Sequence, residues 1–236
     1  MNGGSRASSA VEAAPGGARA GWRGACAAWS YPLWLLGAFA VIFVALGVAP
    51  YDRGVWALEN LLVAISLAIF IATRRILRFS DLSYTLLFVF FVVHEIGAHY
   101  TYARVPYAEW IARLTAGRVN LGGERNDYDR VIHFAYGLLV LLPAVELLRY
   151  AAPPRGAWQW LLPPFFILSH AALYELIEWA ATLVFGSEFG TTYLGSQGDI
   201  WDSEKDVLMA VLGSLLALAV MAVAEFSAYR RQRASG

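Results

Sequence analysis

RVIHFAYGLLVLLPAVELLR, Arg130–Arg149, is an apolar run bounded by an arginine at each end. As a helix of about 20 residues it rises roughly 30 Å, the thickness of a bilayer's hydrocarbon core. Working outward, five further runs of similar character occupy about 31–50, 54–73, 82–102, 157–185 and 206–226. The fifth in chain order, 157–185, is longer than a crossing needs, so it tilts or extends past the interface. No alternating pattern of strand period competes with these runs. With 58% hydrophobic and 15% charged residues and a mean hydropathy of +0.51, the chain is too apolar for a soluble domain of its size. The expected architecture is all-α: a polytopic membrane protein of six transmembrane helices, with one short interfacial helix between spans 3 and 4.

The expected organisation is a disordered tail over 1–29, a transmembrane domain over 30–227 and a second tail over 228–236. The first segment is rich in Gly, Ala and Ser and has no early apolar stretch, which argues against a cleaved signal peptide. Orientation follows from the basic residues. An inner N-terminus puts Arg6, Arg19, Arg23, Arg74, Arg75, Arg78, Arg149, Arg155, Arg230, Arg231 and Arg233 inside, 11 of the 18 basic residues. Five of the remainder sit in one longer loop, where the charge rule is weaker. Both termini are expected in the cytoplasm.

This topology brings four polar clusters to one level, the outer face. Span 3 ends in His94-Glu95 and His99-Tyr100; span 4 begins after Asn126-Asp127-Tyr128-Asp129-Arg130 and carries His133; span 5 carries Glu175 and Glu178 in its second half; span 6 follows Asp199, Asp202 and Asp206. Residues three or four apart share a helix face, which groups Glu95 with His99, Asp129 with His133, Glu175 with Glu178, and Asp199 with Asp202 and Asp206. Ionisable groups at membrane depth are costly unless paired or hydrated, which makes each a functional candidate. Bundle-core metal sites are built from such carboxylates and imidazoles on facing helices. The expected metal ligands are Glu95, His99, His133, Glu175 and Glu178, and the expected catalytic groups Glu175, Glu178, Asp129 and Asp202. A mixed imidazole and carboxylate set suits Zn, Mn or Fe(II).

Plainer readings stand beside these. His94 and Glu95 are neighbours about 100° apart on a helix and lack the spacing of zinc proteases, so a zincin is rejected. Asp127, Asp129 and Arg130, and likewise Asp202, Glu204 and Asp206, also fit an acidic helix start favoured by the helix dipole. His170 fits a hydrogen-bonded core histidine, and Tyr100, Tyr102, Trp110, Trp179, Tyr193 and Trp201 an outer aromatic belt. Glu59 with Asn60 is a further contributor at the outer level. Glu146 and Glu225 are expected to snorkel or to pair with Arg149 and Arg230.

From Pro106 to Gly117, Tyr107, Trp110, Ile111 and Leu114 share one face, the pattern of a short interfacial helix able to lie as a lid. Gly186, Gly190, Gly195 and Gly198 mark an irregular loop and are a weak phosphate-binding signal without a following Lys-Ser/Thr. The outer arginines fit either anion binding or pairing with nearby acids. Cys26 is the single cysteine, which excludes an internal disulfide, a thiolate metal site and a Cys-His nucleophile pair. A net charge of +0 and scattered basic residues argue against nucleic acid.

Taken together, His94-Glu95-x-x-x-His99-Tyr100-Thr101-Tyr102, Asn126-Asp127-Tyr128-Asp129-Arg130-x-x-His133-Phe134, Glu175-x-x-Glu178-Trp179 and Gly195-x-Gln197-Gly198-Asp199-x-Trp201-Asp202-x-x-x-Asp206 resemble the YjdF family of predicted bacterial inner-membrane proteins, over about residues 30 to 226. That family supplies no biochemical activity. The Asp129–Tyr136 stretch and Asp206–Gly213 are similar to VanZ-like membrane proteins, but Ala210 stands where their usual Asn would be. The leading expectation is a metal-dependent membrane enzyme acting on a lipid or envelope precursor. The alternatives are a non-enzymatic binder or transporter of an ion or lipid headgroup, and a structural envelope protein. No broken helix pair or inverted repeat favours transport.

Overall fold

A computed structural model describes residues 30–185 and 196–234. The tail over 1–29, Cys26, Tyr193, Gly186, Gly190 and Gly195 lie outside the described residues. The chain forms α1 (Ser30–Gly47), α2 (Arg53–Thr73), α3 (Asp81–Tyr100), α4 (Tyr107–Leu114), α5 (Tyr128–Ala151), α6 (Trp158–Phe185) and α7 (Asp202–Ala234). All but α4 are long and apolar enough to cross a membrane. The six expected spans and the short helix between spans 3 and 4 are therefore present. The last helix differs most from its hydropathy: it begins four residues earlier than the apolar run and continues helically to Ala234, into the expected tail. Hydropathy missed this start because Asp202 and Asp206 are polar yet turned inward and buried.

Helix α5 is the centre of the bundle, packed on α3, α6 and, most intimately, α7. Two glycines make the α5–α7 approach close. A Cβ at Gly137 would collide with the Ala210 carbonyl, and one at Gly213 with the Phe134 carbonyl. Small residues at a crossing let two backbones approach where lipid offers no hydrophobic drive to association. Leu141, Ala144, Ile167 and Ala210 fill the core around this crossing. Large apolar side chains such as Leu61, Ile65 and Ile69 of α2 and Val220 and Val223 of α7 are exposed, as lipid-facing positions should be.

At the end of the bundle away from the polar clusters, Glu146 accepts hydrogen bonds from the Ser80 amide (2.8 Å) and hydroxyl (2.6 Å), which pins the start of α3 to α5. Arg149 reaches Glu225 on α7 at 3.9 Å. Both carboxylates thus tie helices together.

Candidate functional site

Five spans contribute to one end of the bundle: α2 by its start, α3 by its end, α5 by its start, α6 by its second half and α7 by its start. The turn after α3 sets the first pieces. Thr101 (φ 56°) and Tyr102 (φ 51°) both lie in the left-handed region, a conformation that costs residues with a Cβ roughly 1–2 kcal/mol each. The turn closes with the Tyr102 amide donating to Gly97 O at 2.8 Å. It folds the Tyr102 ring back over Gly97, where a Cβ would strike it. The phenol then meets His94 Nδ1 at 2.6 Å. Tyr102 is therefore buried in the site and is not part of an aromatic belt, whereas Trp179 and Trp201 are exposed.

Three loops are knitted together above this turn. The Asn126 amide donates to Gln197 Oε1 and Gln197 Nε2 donates to Asn126 O, each at 2.9 Å, while Asn126 Nδ2 donates to Val105 O at 2.8 Å. Arg125 bonds Ser196 O and Asp202, and Arg130 bonds Asp127 (3.0 Å) and Asp199 (2.5 Å). Asp127 makes no side-chain cap to α5, so its acid is spent on the two arginines. Asp199 also accepts from Lys205 at 2.6 Å. That hydrogen bond, the Trp201 amide and Arg130 hold its carboxyl down to about 2.

Beneath this rim the carboxylates converge. One oxygen each from Asp129 (α5), Asp202 and Asp206 (α7) lie within 4.8 Å of one another. Asp202 and Asp206 are buried, and Asp206 Oδ1 has no hydrogen-bond partner. His133 Nε2 stands 3.2 Å from Glu175 Oε1 and 3.8 Å from Asp129 Oδ1. Glu178 is buried among Glu175, Asp129, Glu59 and Asp206. Glu59 Oε2 accepts from Tyr174 at 2.6 Å, which joins α2 to α6. Glu204, by contrast, is exposed and fits the acidic helix start that sequence alone allowed.

The residues singled out in the sequence therefore divide. His133, Glu175, Glu178, Asp129 and Asp202 gather at one site, together with Asp206. Glu95 is fully buried on the α2-facing side of α3, near Glu59, with Asn60 and Trp56 facing its carboxyl. His99 is not brought to the cluster: its Nδ1 lies 2.7 Å from Leu46 O of α1. Glu95 and His99 share a helical stripe, but α3 is flanked by α1, α2 and α5, so neighbouring positions on it face different helices. His170 is exposed and bonds the carbonyl of Phe166 in its own helix, so it is no core histidine. Tyr174 went unnoticed, and Gln197 stood only as one letter of a family motif; the fixed offset of Tyr174 one residue before Glu175 carries no signal until α2 is known to lie opposite.

A family model described as a predicted membrane protein family, DUF2238, matches residues 31–225. The chain belongs to that family. It is 34% identical over 190 residues to the inner membrane protein YjdF of Escherichia coli (strain K12), an alignment covering 77% of this chain and 84% of the relative. The DUF2238 match spans all six crossing helices and the four polar clusters, in agreement with the resemblance read from the motifs. The VanZ-like likeness rests on its local motif alone. No solved structure matches the chain.

Proposed function

We propose that this DUF2238 protein is an inner-membrane, divalent-cation-dependent enzyme acting on a phosphate-bearing lipid or envelope precursor at the outer face. One observation carries the reading: the oxygens of Asp129, Asp202 and Asp206 from two helices lie within 4.8 Å of one another beneath an arginine rim. Ionised carboxylates that close, taken out of water, repel one another strongly unless a cation or protons compensate. Arg125 and Arg130 offset part of this charge, yet Glu59, Glu175 and Glu178 add to it from below. A hard dication satisfies such an all-oxygen set, and Mg²⁺ characteristically binds through a few carboxylates together with substrate phosphates. That shifts the favoured ion from Zn or Fe to Mg²⁺ or Mn²⁺. His133, oriented by Glu175, stands beside the triad as proton acceptor for an attacking water; a cation held by Asp129, Asp202 and Asp206 would supply polarisation of the phosphoryl oxygen. The water's oxygen bonds to phosphorus, the P–O bond to the leaving group breaks, and the leaving oxygen takes the proton that His133 accepted. Location in the inner membrane follows the name of the Escherichia coli relative.

The test is turnover in proteoliposomes. Release of phosphate or headgroup from vesicle-borne lipid phosphates should require Mg²⁺ or Mn²⁺, stop with chelator and fall about 100-fold or more in Asp206→Asn and in His133→Ala, the usual range for a lost ligand or acid–base group. Equal activity with and without chelator overturns the reading.

A further inference from the structure

A cavity of about 260 Å³ runs from the middle of the bundle to the site, between α2, α3, α5 and α6. Away from the site its wall is mostly apolar, with Leu62, Val63, Phe91 and Leu173, and takes in Ser66, Tyr136 and His170. Its other end is polar, formed by Asp129, His133 and His94. Asp129 thus belongs both to the carboxylate triad and to the cavity wall, so the two are continuous. His94 is only 7% exposed; Tyr102 engages its Nδ1, and its ring lies near the Glu59 backbone carbonyl of α2 while Nε2 makes no hydrogen bond of good geometry. With the phenol donating to Nδ1, Nε2 carries a hydrogen that a better-placed oxygen would accept.

The cavity has a lateral side. Helices α2 and α6 meet at their site ends, through Val55 against Ala181 and the Tyr174–Glu59 bond, and deeper in the bundle no extended packing joins them. Along that seam His170 and Leu173 are exposed and Leu62 and Ser66 are half-buried, within two segments that cross the bilayer. Hydrocarbon is the material that surrounds such a seam, and a slot this apolar at this depth selects it.

We infer that the cavity takes one hydrocarbon chain of a lipid, which enters from the bilayer between α2 and α6 and delivers an oxygen-rich headgroup to His94 and Asp129. The inference rests on the lipid-substrate reading above and names how that substrate arrives. The chain lies against Leu62, Val63 and Leu173, and the Tyr174–Glu59 bond spans α2 and α6 at the site end of the seam.

The experiment uses the full chain in phosphatidylglycerol vesicles containing phosphatidic acid with a diazirine in one acyl chain. Adducts are mapped by mass spectrometry at increasing ratios of unlabelled phosphatidic acid. The slot predicts adducts over 62–66 and 170–177 that unlabelled lipid competes away, and background labelling at the outward Leu61, 53% exposed, that it does not. Ser66→Trp, which fills the slot, should cut the competed adducts about tenfold or more, whereas Leu61→Trp should leave them. Adducts that no competitor reduces overturn the inference, and this holds for the parent protein even if Ser66→Trp does not insert. Asp206→Asn separates the two readings. Competed adducts retained alongside lost Mn²⁺ binding and an unchanged, chelator-insensitive turnover uphold the slot against the enzyme reading; Mn²⁺ bound with no competed adducts refutes the slot alone.

Discussion

Tyr102 reaches His94 only because the chain turns through two consecutive left-handed residues and because position 97 lacks a side chain. Gly97→Ala should therefore destabilise the protein by about 1–3 kcal/mol, the usual cost of forcing a methyl group into a filled interior, read as a lower unfolding temperature in detergent. Tyr102→Phe keeps the shape and removes one buried hydrogen bond, so its cost should be nearer 1 kcal/mol. Asp199 gives a pH signature on the rim. Its folded carboxyl is held at about 2, below the ordinary value of an unfolded aspartate, so its stabilising contribution is full above about pH 4 and is lost as pH falls toward 2. Asp199→Asn should melt below the parent at pH 7, and the gap should close across that window. A gap that persists unchanged at pH 2 would show that the Lys205 and Arg130 contacts do not act through charge. None of these partnerships was legible in sequence, because Tyr102 looks like an interfacial aromatic and Asp199 like any loop acid until the turn and the loops are folded against one another.

At the level of elements, six apolar runs announced six helices, and the stripe of Tyr107, Trp110, Ile111 and Leu114 announced α4. Helix faces were legible on α5 and α6, where Asp129 with His133 and Glu175 with Glu178 emerge together. They were not legible on α3, where Glu95 turns to α2 and His99 to α1, so the two part company. The pairing of α5 with α7 was also hidden, since Gly137 and Gly213 read singly as unremarkable small residues in apolar runs. Their close approach carries Asp129 to Asp202 and Asp206. Gly213→Val should push the helices apart, cost about 3 kcal/mol or more, and abolish cation binding, while Leu215→Ala at an exposed position should leave both nearly unchanged. Thermal melts with and without Mn²⁺ check this: a valine variant that still gains stability from Mn²⁺ would separate the helix crossing from the site.

For the whole molecule, the arginine distribution predicts which way a bundle with one polar end faces. Reporter fusions at residue 120 and at residue 198 should report the periplasm, and a fusion at residue 76 the cytoplasm. A cytoplasmic report at 198 would put the site on the other side of the membrane and remove envelope precursors from consideration. The class of the fold was legible because hydrocarbon imposes length and apolarity on every crossing segment; the geometry of the carboxylate cluster was not, because it depends on how five segments converge. The central claim is that this convergence makes one cation site. Its most direct measurement is a Mn²⁺ titration by electron paramagnetic resonance on the purified full chain, beside Asp129→Asn, Asp202→Asn and Asp206→Asn. One saturable ion per chain, weakened about tenfold or more in each variant, is the predicted result; no saturable Mn²⁺ in the parent, or binding that survives all three substitutions, contradicts it.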